Sequence, residues 1–509
     1  MTAPPQPSRA TLSACFADAF RRRFRSPSGA CCGSGFGSIA ALARVLSCAF
    51  AVSVMCPSAS AEKSGAAVPP NVIIVFADDM GYGDAPGYGE KALPMPHFEQ
   101  LADEGMRFTD FYVTASVCSA SRAALLTGRY GVRTGVTGVI SANSSQGLPP
   151  EETTLAERFR ELGYATAIFG KWHLGNTPDL WPLRRGFDEW FGSIGSNDMG
   201  KGRPSLEERR RGRAGVEMVE GEKVVETNPD QRHLTRRYTD RAVDFIRRNA
   251  ERPFFLYVPH NMPHTPLFVS EDFDGKSGRG LYGDVLLELD WSLGEIVRAV
   301  DEAGLGERTV IAFTSDNGPW LKFGDHAGTA GPLDGGKKQT LEGGFRVPLA
   351  MRWTGRIPAG SVCGEMVTAL DFTPSLMALA GAQLEGPERE RLDGRDVSAL
   401  WLGGSAAEDQ AGSLLYFWER ELRALRRGPW KLRLAHVERS PDPENIGYGG
   451  VRGGVIQVAR DQALFRLDRD PGETTDLSAD EPEALAEMLD HVHAWRSELG
   501  ELVEKWNLD

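Results

Sequence analysis

Residues 71–77 read Asn-Val-Ile-Ile-Val-Phe-Ala, and two acids, Asp78 and Asp79, follow directly. A continuous apolar run rich in β-branched residues is typical of a strand that is buried on both faces of a parallel sheet. Three further runs have the same character, at 164–169, 254–258 and 309–314. Segments with helical periodicity lie among them, at 96–104, 154–162, 236–248 and 284–303, the last with Asp284 as its predicted cap. This alternation predicts an α/β fold with a large, mixed but mostly parallel sheet flanked by helices.

The pattern changes past residue 410. Short alternating runs at 414–417, 422–426, 430–434 and 463–467 predict a small antiparallel sheet, and 482–499 predicts an amphipathic helix that packs on it. We therefore predict three parts: a leader over 1–61, a catalytic α/β domain over 62–410 and a C-terminal α+β subdomain over 411–509.

The first 61 residues have the order of a secretory signal peptide. A basic cluster at 21–25 precedes an apolar run at 45–55, and the small residues Ala59-Ser60-Ala61 follow. The apolar run is too short for a membrane span, and no other run in the chain approaches that length. These features predict an exported protein, periplasmic or secreted, without a membrane span.

Charge and cysteine content narrow the functional classes. The chain carries 57 basic and 70 acidic residues, and without the leader 51 and 69, a formal charge of −18. This balance disfavours nucleic acid as a partner, and an anionic substrate would need a local cluster of cations. Five of the seven cysteines lie in the leader, so only Cys118 and Cys363 remain. A disulfide framework is therefore not expected.

Polar side chains follow each of the four predicted buried strands. Asp78 and Asp79 follow the first strand, Lys171 and His173 the second, His264 the third, and Asp316 and Asn317 the fourth. The carboxyl ends of strands in an α/β sheet are where ligands bind, so we expect these side chains to lie together. Each group alone also fits a solvated turn, and only their joint placement indicates a site.

Residues 118–129 read Cys-Ser-Ala-Ser-Arg-Ala-Ala-Leu-Leu-Thr-Gly-Arg. They predict a short helix that Ser119 or Ser121 caps and Gly128 ends. Cys118 would then lie at a helix N-terminus, one turn from Arg122, where an anion is stabilised. The alternative for these residues alone is a buried cysteine beside a surface arginine.

Two of these stretches resemble signatures of a known family. Residues 118–128 resemble the type I sulfatase signature, and Gly170-Lys-Trp-His-Leu-Gly175 resembles the second signature of that family. The resemblance extends from Asn71 to Leu477 and is greatest to arylsulfatase A-like enzymes. It implies an alkaline phosphatase-like α/β sandwich and hydrolysis of a sulfate ester. It also implies that a separate maturation enzyme converts Cys118 to Cα-formylglycine, and that one calcium ion is bound, which suits a set of oxygen ligands.

The resemblance also implies roles for individual residues. The residues with implied catalytic roles are Cys118, Arg122, Lys171, His173, His264 and Lys337. Those with implied roles in substrate binding are Ser196, Lys171, His264 and Lys337. Those with implied roles in metal binding are Asp78, Asp79, Asp316, Asn317 and Cys118. Within these roles, Arg122 holds the formylglycine hydrate and His264 protonates the leaving oxygen. Lys338 is the alternative to Lys337, and counting back from Glu342 favours Lys337.

The sequence leaves the substrate open among aryl sulfates, sulfated carbohydrates and sulfolipids. Specificity is expected in loops such as 201–225, 320–331 and 448–454. A second interpretation is a phosphonate or phosphate ester hydrolase of the same superfamily, but the single metal site and the Lys-x-His segment favour sulfate. A third is a non-catalytic glycan-binding relative, which predicts missing catalytic groups.

Overall fold

The computed structural model describes residues 69–90, 92–199, 216–405 and 412–504. The predicted leader, residues 201–215 of one predicted specificity loop, and the predicted boundary at 410/411 lie outside the described residues. The division into domains therefore stays a prediction.

The strands divide between one large sheet and several small ones. In chain order they are β1 Asn71–Ala77, β2 Met106–Phe108, β3 Phe111–Tyr112, β4 Ala165–Phe169, β5 Glu189–Ser193, β6 Glu217–Glu220, β7 Lys223–Thr227, β8 Phe254–Pro259, β9 Thr309–Ser315, β10 Leu349–Arg352, β11 Ser361–Cys363, β12 Val367–Thr368, β13 Ser413–Trp418, β14 Glu421–Arg427, β15 Trp430–Arg433, β16 His436–Pro441, β17 Val455–Arg460 and β18 Ala463–Arg466. In the described part of the chain, ten of them form the main sheet in the order β11-β2-β10-β9-β1-β8-β4-β5-β6-β7.

The centre of the main sheet is parallel. β1 pairs with β8 and β9, and β4 pairs with β8 and β5, all in parallel, whereas β10 runs antiparallel to β9. Every residue of β1 is buried, as its uninterrupted apolar sequence requires. The predicted mixed, mostly parallel sheet is thus confirmed.

Helices cover both faces of this sheet. They are α1 Pro96–Asp103, α2 Cys118–Thr127, α3 Gly131–Thr134, α4 Leu155–Glu161, α5 Leu234–Arg248, α6 Gly280–Glu302, α7 Glu342–Phe345, α8 Phe372–Leu379, α9 Gly386–Glu390, α10 Ser398–Trp401 and α11 Pro482–Leu499. Short 3-10 segments are Tyr82–Asp84, Pro178–Leu180, Pro182–Arg184, Gln231–His233, Gly306–Arg308, Leu321–His326, Ala369–Asp371 and Gly500–Leu502.

Alternate side chains of β1 feed two separate cores. Ile73 and Val75 lie in the core that α1, α5 and α6 cover, and Ile74 and Phe76 lie in the core that α2, α4 and α8 cover. The period-two alternation of a strand puts successive side chains on opposite faces, which explains why β1 is apolar from Val72 to Ala77. The result is a three-layer α/β sandwich.

The C-terminal segment forms the predicted small sheet, in the order β13-β14-β15-β18, with antiparallel pairing throughout. Met488 and Val492 of α11 pack on its Leu425 and Leu432. The same core includes Ala124 of α2, so this sheet packs directly beneath the helix that Cys118 begins.

The prediction that Asp284 caps a helix is wrong. α6 begins at Gly280, and Asp284 lies one turn inside it. Its carboxylate instead accepts the backbone N–H groups of Gly275 and Ser277 at 2.9 and 2.8 Å, so it holds the preceding loop against the helix. Among the described residues, no helix combines the length and the apolar character that crossing a membrane requires.

Candidate active site

The strand ends that the sequence singles out meet at one edge of the main sheet. The backbone N–H of Asp316 donates to the carbonyl of Ala77, and the backbone N–H of Asp79 donates to Oδ1 of Asp316 at 3.1 Å. Asp79 has a φ of 72°, a left-handed conformation that turns the chain sharply after β1. Asp78, Asp79, Asp316 and Asn317 are all buried at this edge.

Cys118 is the first residue of α2. Val117 precedes it in an extended conformation, and no side chain caps the helix, so the predicted cap by Ser119 or Ser121 is wrong. Ser119 Oγ instead accepts the backbone N–H of Ile140 at 3.1 Å. Gly128 ends the helix as predicted, with a φ of 70°. The helix N-terminus is therefore left open toward the strand ends.

The thiol of Cys118 touches both signs of charge. It donates to Asp78 Oδ1 at 3.3 Å, and Lys337 Nζ lies 3.2 Å from the sulfur. Only 1% of the residue is exposed. Burial raises the pKa of this thiol, and the charge of Asp78 raises it further against the effect of Lys171 and Lys337. The thiol is thus held in its neutral form.

Two lysines lie on the two adjacent acids. Lys171 Nζ is 2.6 Å from Asp78 Oδ2, and Lys337 Nζ is 2.6 Å from Asp79 Oδ1. Lys338 has a φ of 73°, is half-buried, and places its Nζ over the ring of Trp320 rather than at an acid. Of the two lysines left open by the sequence, Lys337 is therefore the one at the cysteine.

Arg122 is fully buried and pairs with Asp316. Its Nε and Nη2 donate to Asp316 Oδ2 at 3.0 and 2.8 Å, and its Nη1 donates to the carbonyl of Lys171 at 3.3 Å. Asp78 Oδ2 lies 3.8 Å from Nη2. In this structure Arg122 orients two carboxylates at the sheet edge.

His173 lies beyond the end of β4 in a left-handed backbone conformation, with a φ of 61°. Its Nε2 is 3.0 Å from the carbonyl of Ile140, which makes Nε2 the protonated nitrogen. Its Nδ1 is buried without a hydrogen-bond partner. Burial, with the charges of Lys171 and Arg122, holds the pKa of His173 well below its usual range.

His264 faces Asp79 from the end of β8. Its Nε2 is 3.7 Å from Asp79 Oδ2, and its Nδ1 is 3.0 Å from Asn197 Oδ1. Asn197 Nδ2 donates to the carbonyl of Pro266 at 2.9 Å, so the amide oxygen faces the ring and Nδ1 carries the proton. Burial and the charge of Lys337 hold the pKa of His264 well below its usual range.

Three further side chains complete the neighbourhood of His264. Ser196 is buried, with its Oγ 3.5 Å from both ring nitrogens. Asn197 was not predicted as a site residue, although it follows Ser196 directly in the sequence, whereas Trp320 is the first residue of the predicted specificity loop at 320–331. The ring of Trp320 lies 5.2 Å from that of His264. Nothing in the sequence near Trp320 indicates that contact, which depends on how the 3-10 segment Leu321–His326 folds back.

The acids fit a hard cation. Asp78, Asp79, Cys118 and His264 offer ligand atoms that all lie within 4.8 Å of one another. Asp79 Oδ2 and Asn317 Oδ1 are buried without a hydrogen-bond partner, which is rare for oxygens in a protein interior. A cation with oxygen ligands would satisfy both atoms.

The charges around the acids support the same interpretation. Burial opposes ionisation of Asp78, but Lys171 and the other neighbouring cations hold its pKa well below its usual range. Burial raises the pKa of Asp79 to about 7; the charge of Lys337 opposes this rise, and the charges of Asp78 and Asp316 add to it. Additional positive charge at this edge would stabilise the ionised form of Asp79.

Comparison with known proteins identifies the class. The family model described as Sulfatase matches residues 70–382, and the chain belongs to this family. The chain is a sulfuric ester hydrolase, as its arylsulfatase relatives also indicate. The implied alkaline phosphatase-like fold is confirmed by the sheet order and by solved sulfatase structures.

Particular relatives cover most of the chain. Arylsulfatase A of Bos taurus is 39% identical over 446 residues, which cover 82% of this chain and 86% of that protein. N-acetylgalactosamine-6-sulfatase of Canis lupus familiaris is 37% identical over 443 residues, covering 82% and 83%. The crystal structure of the PsFucS1 sulfatase from Pseudoalteromonas sp. is 25% identical, with a TM-score of 0.73 over 86% of this chain and 92% of that one.

Proposed function

We propose that this chain hydrolyses an aryl sulfate or a sulfated carbohydrate to an alcohol and inorganic sulfate, with a Cα-formylglycine made from Cys118 and one calcium ion. The observation that carries the proposal is the contact of Cys118 Sγ with both Asp78 Oδ1 and Lys337 Nζ at the open end of α2. A neutral, buried thiol is a poor nucleophile, which argues for its conversion to another group.

Conversion of Cys118 would give its position a suitable chemistry. An aldehyde hydrate supplies one hydroxyl for attack on sulfur and a second whose loss of a proton releases sulfate. The side chain of residue 118 lies next to the acids and lysines described above, so the sulfur atom of a substrate would be surrounded by groups of both signs. A maturation enzyme must supply the oxidation.

Asp78, Asp79, Asp316 and Asn317 would hold the cation. A bound calcium ion supplies positive charge for the anionic oxygens of the reaction. Lys171 and Lys337 are already placed on the acids that the ion would contact. We propose that their ammonium groups bind the oxygens of the sulfate ester and stabilise the charge that develops there. Arg122 keeps Asp316 and Asp78 in position.

The two histidines are suited to opposite proton transfers. The hydrogen bond of Ile140 fixes the proton of His173 on Nε2, so its Nδ1 can accept a proton from a hydroxyl. Asn197 holds the Nδ1 proton of His264, so Nε2 is the atom that would deliver a proton to the leaving alcohol. His264 must become imidazolium for this transfer, and a bound anionic ester favours that form.

The relatives support the substrate class. The names arylsulfatase A and N-acetylgalactosamine-6-sulfatase describe enzymes for aryl sulfates and for a sulfated sugar. Both are similar to this chain over more than four fifths of its length. We propose that this chain, exported as its leader predicts, takes esters of one of these two kinds.

Peptide mass and sulfate release test the proposal together. The protein is produced with and without a formylglycine-generating enzyme, and the peptide that contains Cys118 is weighed. Conversion of the thiol to the aldehyde lowers its mass by about 18 Da, and sulfate release should appear in proportion to the converted fraction. Cys118→Ala is the matched inactive control.

Two results would contradict the proposal. Full activity of protein whose Cys118 remains a thiol would rule out the formylglycine mechanism. A higher kcat/KM for an aryl phosphate than for the corresponding aryl sulfate would rule out sulfate as the substrate and favour the phosphate ester alternative.

A further inference from the structure

Four cations lie together beside the site and have no role in the chemistry above. They are Lys322, Lys338, Arg439 and Arg452, called here the outer cation cluster. Within the described ranges, their side chains form no salt bridge and no hydrogen bond, although the whole chain carries a net charge of −13. Lys322 and Lys338 are half-buried, and Arg439 and Arg452 are exposed. Most other arginines in the described ranges form a salt bridge with an acid, so unpaired cations in one place call for an explanation.

Trp320 connects the outer cation cluster to the catalytic lysine. The Nζ atoms of Lys322 and Lys337 lie 4.4 and 4.5 Å from the centre of its indole ring, and that of Lys338 lies 5.5 Å away. The same ring packs against His264. The indole ring of Trp320 is thus shared by Lys337 of the catalytic site and by two members of the outer cation cluster.

The glycine-rich loop at 447–454 brings Arg452 to this place. The backbone N–H of Gly453 donates to the carbonyl of Lys322 at 2.7 Å. A Cβ atom at Gly324 would lie only 1.9 Å from the carbonyl oxygen of Gly447, so this close approach of two backbones requires glycine. The loop, whose sequence suggested a role in specificity, is therefore fixed against the segment that carries Lys322.

The hairpin of β16 and β17 brings Arg439 there. Glu438 accepts the backbone N–H of Thr340 at 2.6 Å, and Ser440 Oγ accepts from Gln339 Nε2 at 3.0 Å. Both partners follow Lys338 directly in the chain. Arg439 lies between Glu438 and Ser440 with its side chain toward solvent. The hairpin is thus held on the loop that carries the two adjacent lysines.

The cluster is electrostatically unfavourable as it stands. Burial lowers the pKa of Lys322 to about 8, and repulsion by Lys338, Arg452 and Arg439 contributes to the shift. Burial and the charges of Lys337 and Arg439 also lower the pKa of Lys338. Like charges held together in this way are stabilised when an anion binds among them.

We propose that the outer cation cluster binds a second anionic group, a sulfate or a carboxylate, carried by the same substrate molecule as the sulfate ester that is cleaved. The inference rests on the proposed function and narrows it to sulfated carbohydrates with at least two anionic groups. The catalytic lysines bind the ester, and the cluster binds the neighbouring group across Trp320.

The test compares substrates that differ only in the second anion. They are sulfated N-acetylgalactosamine alone, the same sugar joined to a hexuronic acid, and the same disaccharide with a second sulfate. The wild type should show a higher kcat/KM for both larger, more anionic substrates. For each disaccharide, we divide its kcat/KM by the kcat/KM of the monosaccharide. In the Arg439→Gln/Arg452→Gln double variant, both ratios should fall by about tenfold. An equal fall of both ratios identifies the second anion as the carboxylate, and a larger fall for the disulfated disaccharide identifies it as the sulfate.

The matched control is Lys223→Gln, which removes an exposed cation in β7, in a different part of the main sheet. Its ratios should equal those of the wild type. Unchanged ratios in the double variant would overturn the proposal. A loss that is equal for all three substrates, and that disappears in 0.5 M salt, would also overturn it, because that result indicates long-range attraction rather than a binding site.

Binding to an inactive protein separates this proposal from the proposed function. Calorimetry with Cys118→Ala measures the affinity for the disulfated disaccharide without any turnover. Weaker binding when Arg439→Gln and Arg452→Gln are added supports the outer site even if the wild type releases no sulfate. Equal binding rejects the outer site even if the wild type is an active sulfatase.

Discussion

Two buried polar clusters lie on either side of the loop at 335–344, and they differ in how many of their side-chain oxygens accept a hydrogen bond. In the glutamate cluster, Glu342 Oε1 accepts from Tyr416 and Lys431 at 2.6 and 3.0 Å, and Oε2 accepts from Tyr112 at 2.6 Å. Glu473 Oε1 lies 2.9 Å from Lys431 Nζ, and Oε2 accepts the backbone N–H of Glu342 at 2.7 Å. Three of these four oxygens accept a hydrogen bond, and the fourth, Glu473 Oε1, is held by its ion pair with Lys431.

The catalytic cluster is built from similar groups but is left incomplete. Lys337 and Asn317 Nδ2 both donate to Asp79 Oδ1, while Asp79 Oδ2 and Asn317 Oδ1 receive no hydrogen bond. A complete buried network stabilises one packing of the chain, whereas unpartnered oxygens that converge indicate where a ligand binds. The pattern of satisfied atoms, rather than the amount of buried charge, therefore separates the structural cluster from the functional one.

The largest effect should follow from breaking the complete cluster. Among the described residues, Lys431 is the cation that forms a salt bridge with both Glu342 and Glu473, and Lys431→Met leaves these two buried carboxylates without it. We expect the free energy of unfolding to fall by about 3–5 kcal/mol, as for other buried pairs that lose one partner. Denaturant titration measures the loss. A change below about 0.5 kcal/mol, as expected for the exposed control Lys223→Gln, would show that the cluster is not structural.

The corresponding change in the catalytic cluster should affect activity instead. Asp79→Asn keeps the shape of the side chain but removes a charge that burial and two neighbouring acids oppose. We expect kcat/KM to fall by about 10²–10³-fold, while the melting temperature stays within about 2 °C of the wild type. Steady-state assays and thermal scans on the same preparation give both numbers. A stability loss as large as that of Lys431→Met would mean that both clusters are structural.

Removal of divalent cations should affect the catalytic cluster and leave the glutamate cluster unchanged. Dialysis against a chelator should abolish sulfate release, and calcium should restore it. Calcium at a hundred times its dissociation constant should add about 2.7 kcal/mol of stability to the wild type, but nothing to Asp79→Asn. Equal stabilisation of both proteins by calcium would place the ion away from Asp79.

The contrast also shows what the sequence could and could not predict. The strand ends were predictable because parallel strands deliver their carboxyl ends to one edge, so Asp79 and Asp316 meet although 237 positions separate them. Counting back from Glu342 favoured Lys337 over Lys338, but the sequence could not show the left-handed backbone at Lys338 or the contacts of Lys337 Nζ with Asp79 and the thiol. The cap at Ser119 was predicted wrongly, since local propensity does not show that an open helix end is part of a site.

The glutamate cluster was not predicted at all. Glu342 and Lys431 are 89 positions apart; Glu342 begins the short helix α7, and Lys431 lies in β15 of the C-terminal sheet. No periodicity or motif links a lysine in a short antiparallel strand to a glutamate in a glycine-rich loop. Such a pair is set by how the C-terminal sheet packs against the rest of the chain.

The smallest expected effect is a loss of unfolding free energy at acidic pH. Burial opposes ionisation of Glu342, but Lys431, Arg426 and Arg346 lower its pKa to about 2. The pKa of Glu342 is lower in the folded than in the unfolded chain. Its carboxylate therefore stabilises the fold at pH values above the pKa of the unfolded chain, and this contribution is lost as the pH falls toward 2. Between pH 7 and pH 4 the loss is about 1 kcal/mol. The difference in unfolding free energy between the wild type and Glu342→Gln should narrow by that amount over this range. A difference that is constant with pH would show that Glu342 is not ionised in the folded protein, and would remove the electrostatic basis for calling its cluster complete.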